Sequence, residues 1–145
     1  LTITKNGNSA ILTTAGNEDG HVILRGGREP NYDATSIASA ASLMTDAGLA
    51  PRLLVDCSHA NSGKDPQRQP QVIDSVCEQL VGGERRLMGA MIESHLVGGR
   101  QDIVPGQALT YGQSITDSCI AWDETTPLLA QLAKAVRKRR LGAAN

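Results

Sequence analysis

The chain has 145 residues, which is enough for one domain with a sizeable buried core. Hydrophobic residues make up 40% of it and charged residues 20%, as is typical of a soluble globular protein. The net charge of -1 and the aromatic content of 2% argue against nucleic acid as a partner, and no apolar run approaches the roughly 20 residues that span a membrane. Three widely spaced cysteines predict no disulfide framework, so we expect a reducing, cytoplasmic location.

The N-terminal segment predicts a β-hairpin over residues 1–14. Two short β-like runs, residues 1–4 and 9–13, flank a turn-rich segment that contains Asn6-Gly7. The sequence starts at Leu1, inside the first run and without Met. We therefore interpret the chain as part of a longer protein whose N-terminal half is absent.

Residues 21–141 alternate apolar, strand-like runs with amphipathic helices. The strands are predicted at residues 21–24, 53–56 and 87–92. The helices are predicted from their apolar faces, which are Ile37, Ala41 and Met44 in the first, Val72, Ile73, Val76, Cys77 and Leu80 in the second, and Leu128, Leu132 and Val136 in the third. Asp33 should begin the first helix, Gly48 and Gly82-Gly83 should end the first two, and Asp123, Thr125 or Thr126 should cap the third.

The order of these elements predicts an α/β fold. Arg25, His59 and Glu93 each lie 34 residues after the previous one and follow a strand-like run, so polar groups recur at the same point of each βα unit. We interpret the chain as the C-terminal part of a (β/α)₈ barrel, about three βα units plus the inserted hairpin. A small open three-layer sheet is the alternative. Residues 96–112 are predicted to form a long loop, followed by a short element at residues 114–119.

Three polar residues are candidates for holding a metal ion. His59 and Glu93 end neighbouring strands, and Asp117 follows in the short element after the last strand. One imidazole and two carboxylates suit Mn²⁺, Fe²⁺, Co²⁺ or Zn²⁺, and such a cation polarises a carbonyl oxygen. The alternative is that each is only a solvated or hydrogen-bonded residue at a strand end.

Other polar residues near the strand ends have less specific interpretations. Arg25 before Gly26-Gly27 binds a phosphate or carboxylate, or it is a surface residue of a glycine turn. Asp56 is a candidate partner for a ligand, and His95 is a weaker alternative ligand to His59. The residue types and positions of Cys57, Cys77 and Cys119 favour packing over chemistry.

Five motifs occur in a fixed order along the chain. They are ILRGG at residues 23–27, EPNY at 29–32, DCSHAN at 56–61, MIESHL at 91–96 and YGQSITD at 111–117. Together they resemble 3-deoxy-D-arabino-heptulosonate 7-phosphate (DAHP) synthase of the microbial type I class. The resemblance covers essentially the whole chain, which corresponds to the C-terminal part of that family.

The resemblance implies a metal-dependent barrel enzyme. Members condense phosphoenolpyruvate with erythrose 4-phosphate to give DAHP and phosphate, the first step of the shikimate pathway to aromatic amino acids. The family's divalent metal is held by a Cys, a His, a Glu and an Asp, of which His59, Glu93 and Asp117 match the last three. Arg25 matches a phosphoenolpyruvate-binding arginine, and Asp117 would also lie near the aldehyde. The cysteine ligand belongs to the absent half, and none of the three cysteines here matches it.

The resemblance also implies regulation and partners. The hairpin would belong to a site for a feedback-inhibiting aromatic amino acid, with Thr2 and Leu12 at the contact positions, and the protein would be a homo-oligomer. We expect residues 1–145 alone to be inactive. Two alternatives remain at this point: a non-catalytic fragment that is only a folding partner for its missing half, and a metal-dependent hydrolase or isomerase on a barrel.

Overall fold

The computed structural model describes residues 1–17 and 19–142 of the chain. Its helices are α1 (Ala34–Asp46), α2 (Gln69–Val81) and α3 (Trp122–Gly142). Its strands are β1 (Thr2–Ile3), β2 (Ser9–Ala10), β3 (Val22–Leu24), β4 (Leu53–Asp56), β5 (Leu87–Met91), β6 (Ser94–His95), β7 (Val97–Arg100), β8 (Gln113–Ser114) and β9 (Ile120–Ala121). A short 3₁₀ turn, Pro66–Arg68, leads into α2. The mixed α/β class predicted from the sequence is confirmed.

A three-stranded parallel sheet, in the order β3-β4-β5, positions the polar residues of interest. Val22 pairs with Leu53 in β4, and Leu53 pairs with Leu87 in β5. An irregularity between Leu53 and Leu54 shifts the second register by one residue. Because all three strands run in the same direction, their carboxyl ends lie at one edge of the sheet, where ligands bind in α/β folds.

The core lies between this sheet and the helices. Leu53 and Val55 alternate along β4 and are completely buried, together with Ile37 of α1 and Ile73 of α2. Such a continuous apolar interior makes the sheet edge a rigid base for polar groups. The buried faces predicted for α1 and α2 are confirmed in full.

Helix α1 begins and ends where the sequence predicts. The Asp33 carboxylate accepts hydrogen bonds from the backbone N–H groups of Thr35 and Ser36, both at 3.0 Å. Gly48 follows the last turn with a φ of 72°, a left-handed conformation that glycine adopts without steric cost. Both signals are local, so they could be recognised in the sequence.

Helix α3 differs from its prediction in two respects. It begins at Trp122, because Glu124 Oε2 accepts a hydrogen bond from the Ala121 N–H at 2.8 Å. The hydroxyls of Thr125 and Thr126 lie inside the helix and donate to backbone carbonyls four residues earlier. The expected caps at Asp123, Thr125 or Thr126 were therefore wrong. On the core face Leu128 is buried as predicted. Leu132 and Val136 are only partly buried, and Ala135 is the buried residue near the C-terminal end.

The segment predicted as a long loop contains short strands. β6 pairs with β9 in parallel, and β7 pairs with β8 in parallel. A Cβ atom at Gly112 would lie 2.8 Å from that of Leu96, and one at Gly98 would lie 3.3 Å from the Ala121 nitrogen. Glycine therefore occupies positions where these paired segments approach closely and where a side chain would crowd its neighbour.

The predicted N-terminal hairpin is present, with β1 and β2 antiparallel. Within residues 1–17 and 19–142, none of the helices has the length and apolar character required to cross a membrane.

Candidate metal centre

His59, Glu93 and Asp117 converge at the sheet edge. One potential ligand atom from each lies within 4.8 Å of the others. His59 follows β4, Glu93 follows β5, and Asp117 lies between β8 and β9. His59 has a φ of 49°, an uncommon left-handed conformation for a residue with a side chain, and strain of this kind is often found at functional sites. The geometry brings together the three residues that the sequence analysis selected.

Asp56 fixes the orientation of the His59 ring. Its Oδ2 lies 2.6 Å from His59 Nδ1, and its Oδ1 accepts a hydrogen bond from the Ser58 N–H at 2.8 Å. The Asp56 side chain is 2% exposed, so this carboxylate is shielded from water. A carboxylate at Nδ1 favours the tautomer with its proton on Nδ1, which leaves Nε2 with a free lone pair for a metal.

The Glu93 carboxylate is held so that one oxygen faces His59. Ser58 Oγ donates a hydrogen bond to Glu93 Oε2 at 2.5 Å. The other oxygen, Oε1, lies 3.6 Å from His59 Nε2. Because Oε2 is occupied by the serine hydroxyl, Oε1 and Nε2 are the two atoms placed to share one cation. Asp117 is exposed, and one of its carboxylate oxygens lies within 4.8 Å of the ligand atoms of His59 and Glu93.

Asn61 connects the Arg25 loop to the end of β4. Its amide nitrogen donates to the carbonyls of Leu24 and Asp56, at 3.0 and 2.8 Å, and its oxygen accepts from the Asn31 N–H at 2.8 Å. Gly26 packs directly on this connection, since a Cβ atom there would lie 2.8 Å from that of Ala60. These contacts fix where Arg25 emerges from the sheet.

A pocket of about 190 Å³ joins these groups. Its lining is mostly polar and comprises Arg25, Ser58, His59, Lys64, Glu93, Asp117 and Ser118. Two cationic side chains, Arg25 and Lys64, therefore line the same cavity as the three potential metal ligands. Such a pocket suits a divalent cation beside an anionic substrate, because each would be matched by opposite charge.

Lys64, Ser58 and Gln69 were missed in the sequence analysis. Lys64 lies in the polar loop after β4, where its N–H donates to the His59 carbonyl at 2.7 Å and its φ is 63°. Gln69 is a fully buried polar residue that contacts the backbone of Glu93. The available signal was that Ser58 belongs to the motif at residues 56–61 and that Lys64 follows it closely, whereas nothing local marked Gln69.

His95 and the cysteines do not join the cluster formed within residues 1–17 and 19–142. His95 is exposed, and its Nδ1 accepts a hydrogen bond from the Leu96 N–H at 2.8 Å. Cys57, Cys77 and Cys119 are buried, as expected for packing residues. Burial, together with the nearby Asp56 carboxylate, raises the pKa of Cys57 to about 12, so its thiol stays protonated.

The two residues predicted to contact an inhibitor lie in or just after the hairpin. Thr2 is in β1, opposite Ala10 of β2, and Leu12 follows β2 with 70% of its surface exposed. Both side chains are accessible within the described chain.

Comparisons with known proteins agree on one family. The family model described as the DAHP synthetase I family matches residues 2–130. The Phe-sensitive phospho-2-dehydro-3-deoxyheptonate aldolase of Escherichia coli (strain K12) is 51% identical over 97% of this chain and 40% of its own length. The tyrosine-inhibited phospho-2-dehydro-3-deoxyheptonate aldolase of Schizosaccharomyces pombe is 49% identical over 97% of this chain and 39% of its own.

A solved structure shows the same similarity in three dimensions. Phospho-2-dehydro-3-deoxyheptonate aldolase from Francisella tularensis SCHU S4 superposes with a TM-score of 0.86 and 42% sequence identity, over 95% of this chain and 40% of that one. The chain thus spans about 40% of the length of the relatives that it matches. With a family model over residues 2–130 and relatives near 50% identity, the chain belongs to the DAHP synthetase I family.

Proposed function

We propose that the whole protein condenses phosphoenolpyruvate with erythrose 4-phosphate and water to give DAHP and phosphate. Family membership supports the reaction class. The observation that carries the proposal is the single pocket in which His59, Glu93 and Asp117 converge beside Arg25. Both substrates are phosphorylated anions and one is an aldehyde, so the reaction needs cationic side chains and, in the same place, a Lewis acid that polarises the aldehyde carbonyl.

A divalent cation fits the three converging residues. The donor set of one imidazole nitrogen and carboxylate oxygens suits Mn²⁺, Fe²⁺, Co²⁺ or Zn²⁺, and the Asp56 carboxylate leaves His59 Nε2 free to bind. When bound, the cation would supply Lewis-acid polarisation of the aldehyde carbonyl. Three protein ligands leave room for a further ligand, which would be a cysteine from the other half of the protein.

The remaining pocket residues bind and orient the substrates. Arg25 holds the phosphoenolpyruvate anion, since a guanidinium donates paired hydrogen bonds to carboxylate or phosphate oxygens. Lys64 adds a second positive charge to the same cavity. Asp117 lies beside the position of the aldehyde. Held in this geometry, the enol carbon of phosphoenolpyruvate attacks the aldehyde carbon, water adds to the former C2, and phosphate leaves with C–O cleavage.

We further propose that β3, β4 and β5 are the last three strands of a (β/α)₈ barrel and that the β1–β2 hairpin is an insertion. The parallel order β3-β4-β5, with polar residues following each strand, supports this architecture. In it the active site would be completed by strands outside residues 1–145. The chain by itself would therefore bind neither substrate completely and would have no synthase activity.

Regulation by an aromatic amino acid is proposed for the hairpin. Relatives are named Phe-sensitive and tyrosine-inhibited, and Thr2 and Leu12 are accessible side chains of this segment. The identity of the inhibitor would depend on the rest of that pocket.

The test is a kinetic and metal-binding comparison of the whole protein with its His59→Ala and Glu93→Ala variants. Wild type should consume phosphoenolpyruvate only when erythrose 4-phosphate is present, and each variant should lose bound metal and activity together. His95→Ala is the matched control and should keep both, because His95 lies outside the cluster. Stoichiometric metal in either ligand variant, or no reaction by the wild type, would refute the proposal.

A further inference from the structure

Gln69 is a fully buried polar side chain at the first residue of α2, 24 positions before Glu93 in the chain. Its Nε2 donates to the Glu93 carbonyl at 3.0 Å, and its Oε1 accepts from the Glu93 N–H at 2.8 Å. One amide therefore satisfies both backbone groups of a single residue. A neighbouring strand would satisfy them in the same way.

The backbone at Glu93 needs this support because it lies between two strands. β5 ends at Met91 and β6 begins at Ser94. The Glu93 carbonyl also accepts from the Ile120 N–H at 3.1 Å, and Ser58 Oγ holds its carboxylate. Gln69 is the only one of these three partners that bonds both backbone groups of Glu93. Without Gln69 the Glu93 N–H would lose its partner in a part-buried position, and the backbone would relax.

We propose that Gln69 is a positioning residue that sets the affinity of the metal centre by fixing the backbone of Glu93. This inference rests on the proposed function, since it takes Glu93 as a ligand. Only a side chain with both a donor and an acceptor at this length makes the two bonds, which accounts for a buried glutamine in an otherwise apolar helix face. Residues that orient metal ligands typically change affinity by about 10–100-fold when they are removed.

The experiment compares Gln69→Met with Gln79→Met in the whole protein. Gln79 lies on the same helix, is part-buried and also donates to a backbone carbonyl, that of Tyr32 at 2.8 Å, but it lies outside the metal pocket. Mn²⁺ affinity is measured without substrates, from the electron paramagnetic resonance signal of the free ion. Gln69→Met should bind Mn²⁺ about 10–100-fold more weakly than wild type, and Gln79→Met should bind it normally. Both should lower the unfolding temperature of the metal-free protein.

Mn²⁺ affinity of Gln69→Met within twofold of wild type would overturn the inference, as would an equal loss in Gln79→Met. If Gln69→Met does not fold, Gln69→Glu keeps the side-chain size and the acceptor for the Glu93 N–H. It should still bind Mn²⁺ measurably more weakly, and wild-type affinity in that variant would also overturn the inference. If the wild type does not bind Mn²⁺, the proposed function itself is refuted. If the wild type binds Mn²⁺ and Gln69→Met binds it equally well, only the role of Gln69 is refuted.

Discussion

Replacement of Asp56 by Asn changes one atom of the site and should disable His59 as a ligand. The Ser58 N–H lies 2.8 Å from Asp56 Oδ1 and needs an acceptor, so the asparagine oxygen must take that place. The asparagine NH₂ group then faces His59 Nδ1, which is 2.6 Å from Oδ2 in the present structure. Because the amide can only donate there, Nδ1 must accept, and the imidazole proton moves to Nε2.

A protonated Nε2 has no lone pair for a metal. Loss of such a carboxylate–histidine interaction costs about 10–100-fold in metal affinity, which corresponds to about 1.4–2.8 kcal/mol. Asn has the size of Asp and keeps the hydrogen bond from Ser58, so the fold should persist. Asp74→Asn is the matched control, since the Asp74 carboxylate accepts a hydrogen bond from Gln131 on the exposed side of α2 and α3.

The assay has two parts. Mn²⁺ titration measures affinity in the wild type and in both Asn variants, and nitrogen NMR of the metal-free imidazole shows which ring nitrogen is protonated. The wild type should carry the His59 proton on Nδ1 and Asp56→Asn should carry it on Nε2. Unchanged Mn²⁺ affinity in Asp56→Asn, with the proton demonstrably on Nε2, would refute the assignment of Nε2 as the ligand atom.

Three further predictions concern stability and reactivity. Gly26→Ala should lower the free energy of unfolding by ~1–3 kcal/mol from overpacking and by a further ~1–2 kcal/mol because its φ is left-handed. Gly48→Ala has the same kind of φ but open space around it, so thermal unfolding should show only the ~1–2 kcal/mol of the backbone conformation. Asp33→Ala should lose about 0.5–2 kcal/mol of helix capping. Hydrogen bonds from Ser36 lower the pKa of Asp33. The stability that the carboxylate contributes is therefore present above the pKa of the unfolded side chain and is lost as pH falls through the folded pKa, so the destabilisation of Asp33→Ala relative to wild type should be smaller at pH 3 than at pH 7. Denaturation at both pH values measures this, and an equal destabilisation at pH 7 and pH 3 would contradict it. Cys57, with a pKa of about 12, should resist iodoacetamide at pH 8 in the folded protein and react in urea, as peptide mass spectrometry would detect; rapid labelling without denaturant would contradict its burial.

Most of the regular structure was predictable because its signals are local. The apolar periods of α1 and α2, the Asp33 cap and Gly48 each involve residues a few positions apart. The strands β6 to β9 were not predictable in the same way. β6 and β9 are two residues long and pair across 26 positions, from Ser94 to Ile120, so no alternation marks them.

The candidate site was predictable to the level of strand ends. Polar residues that follow parallel strands lie at one edge, and this alone placed His59 near Glu93. Lys64 had only its nearness to the motif at residues 56–61 as a signal, and the role of Gln69 had none, because it depends on how the start of a helix packs against the sheet edge. The bond from Gln69 to Glu93 crosses 24 residues and leaves no periodic trace in the sequence.

The central claim is that His59, Glu93 and Asp117 hold one cation. Crystals of the whole protein soaked with Zn²⁺ and measured at the zinc absorption edge test it most directly. We expect one strong anomalous peak about 2.0–2.2 Å from His59 Nε2 and from a carboxylate oxygen of each acidic residue. A well-occupied zinc site elsewhere, with these three side chains uncoordinated, would contradict it.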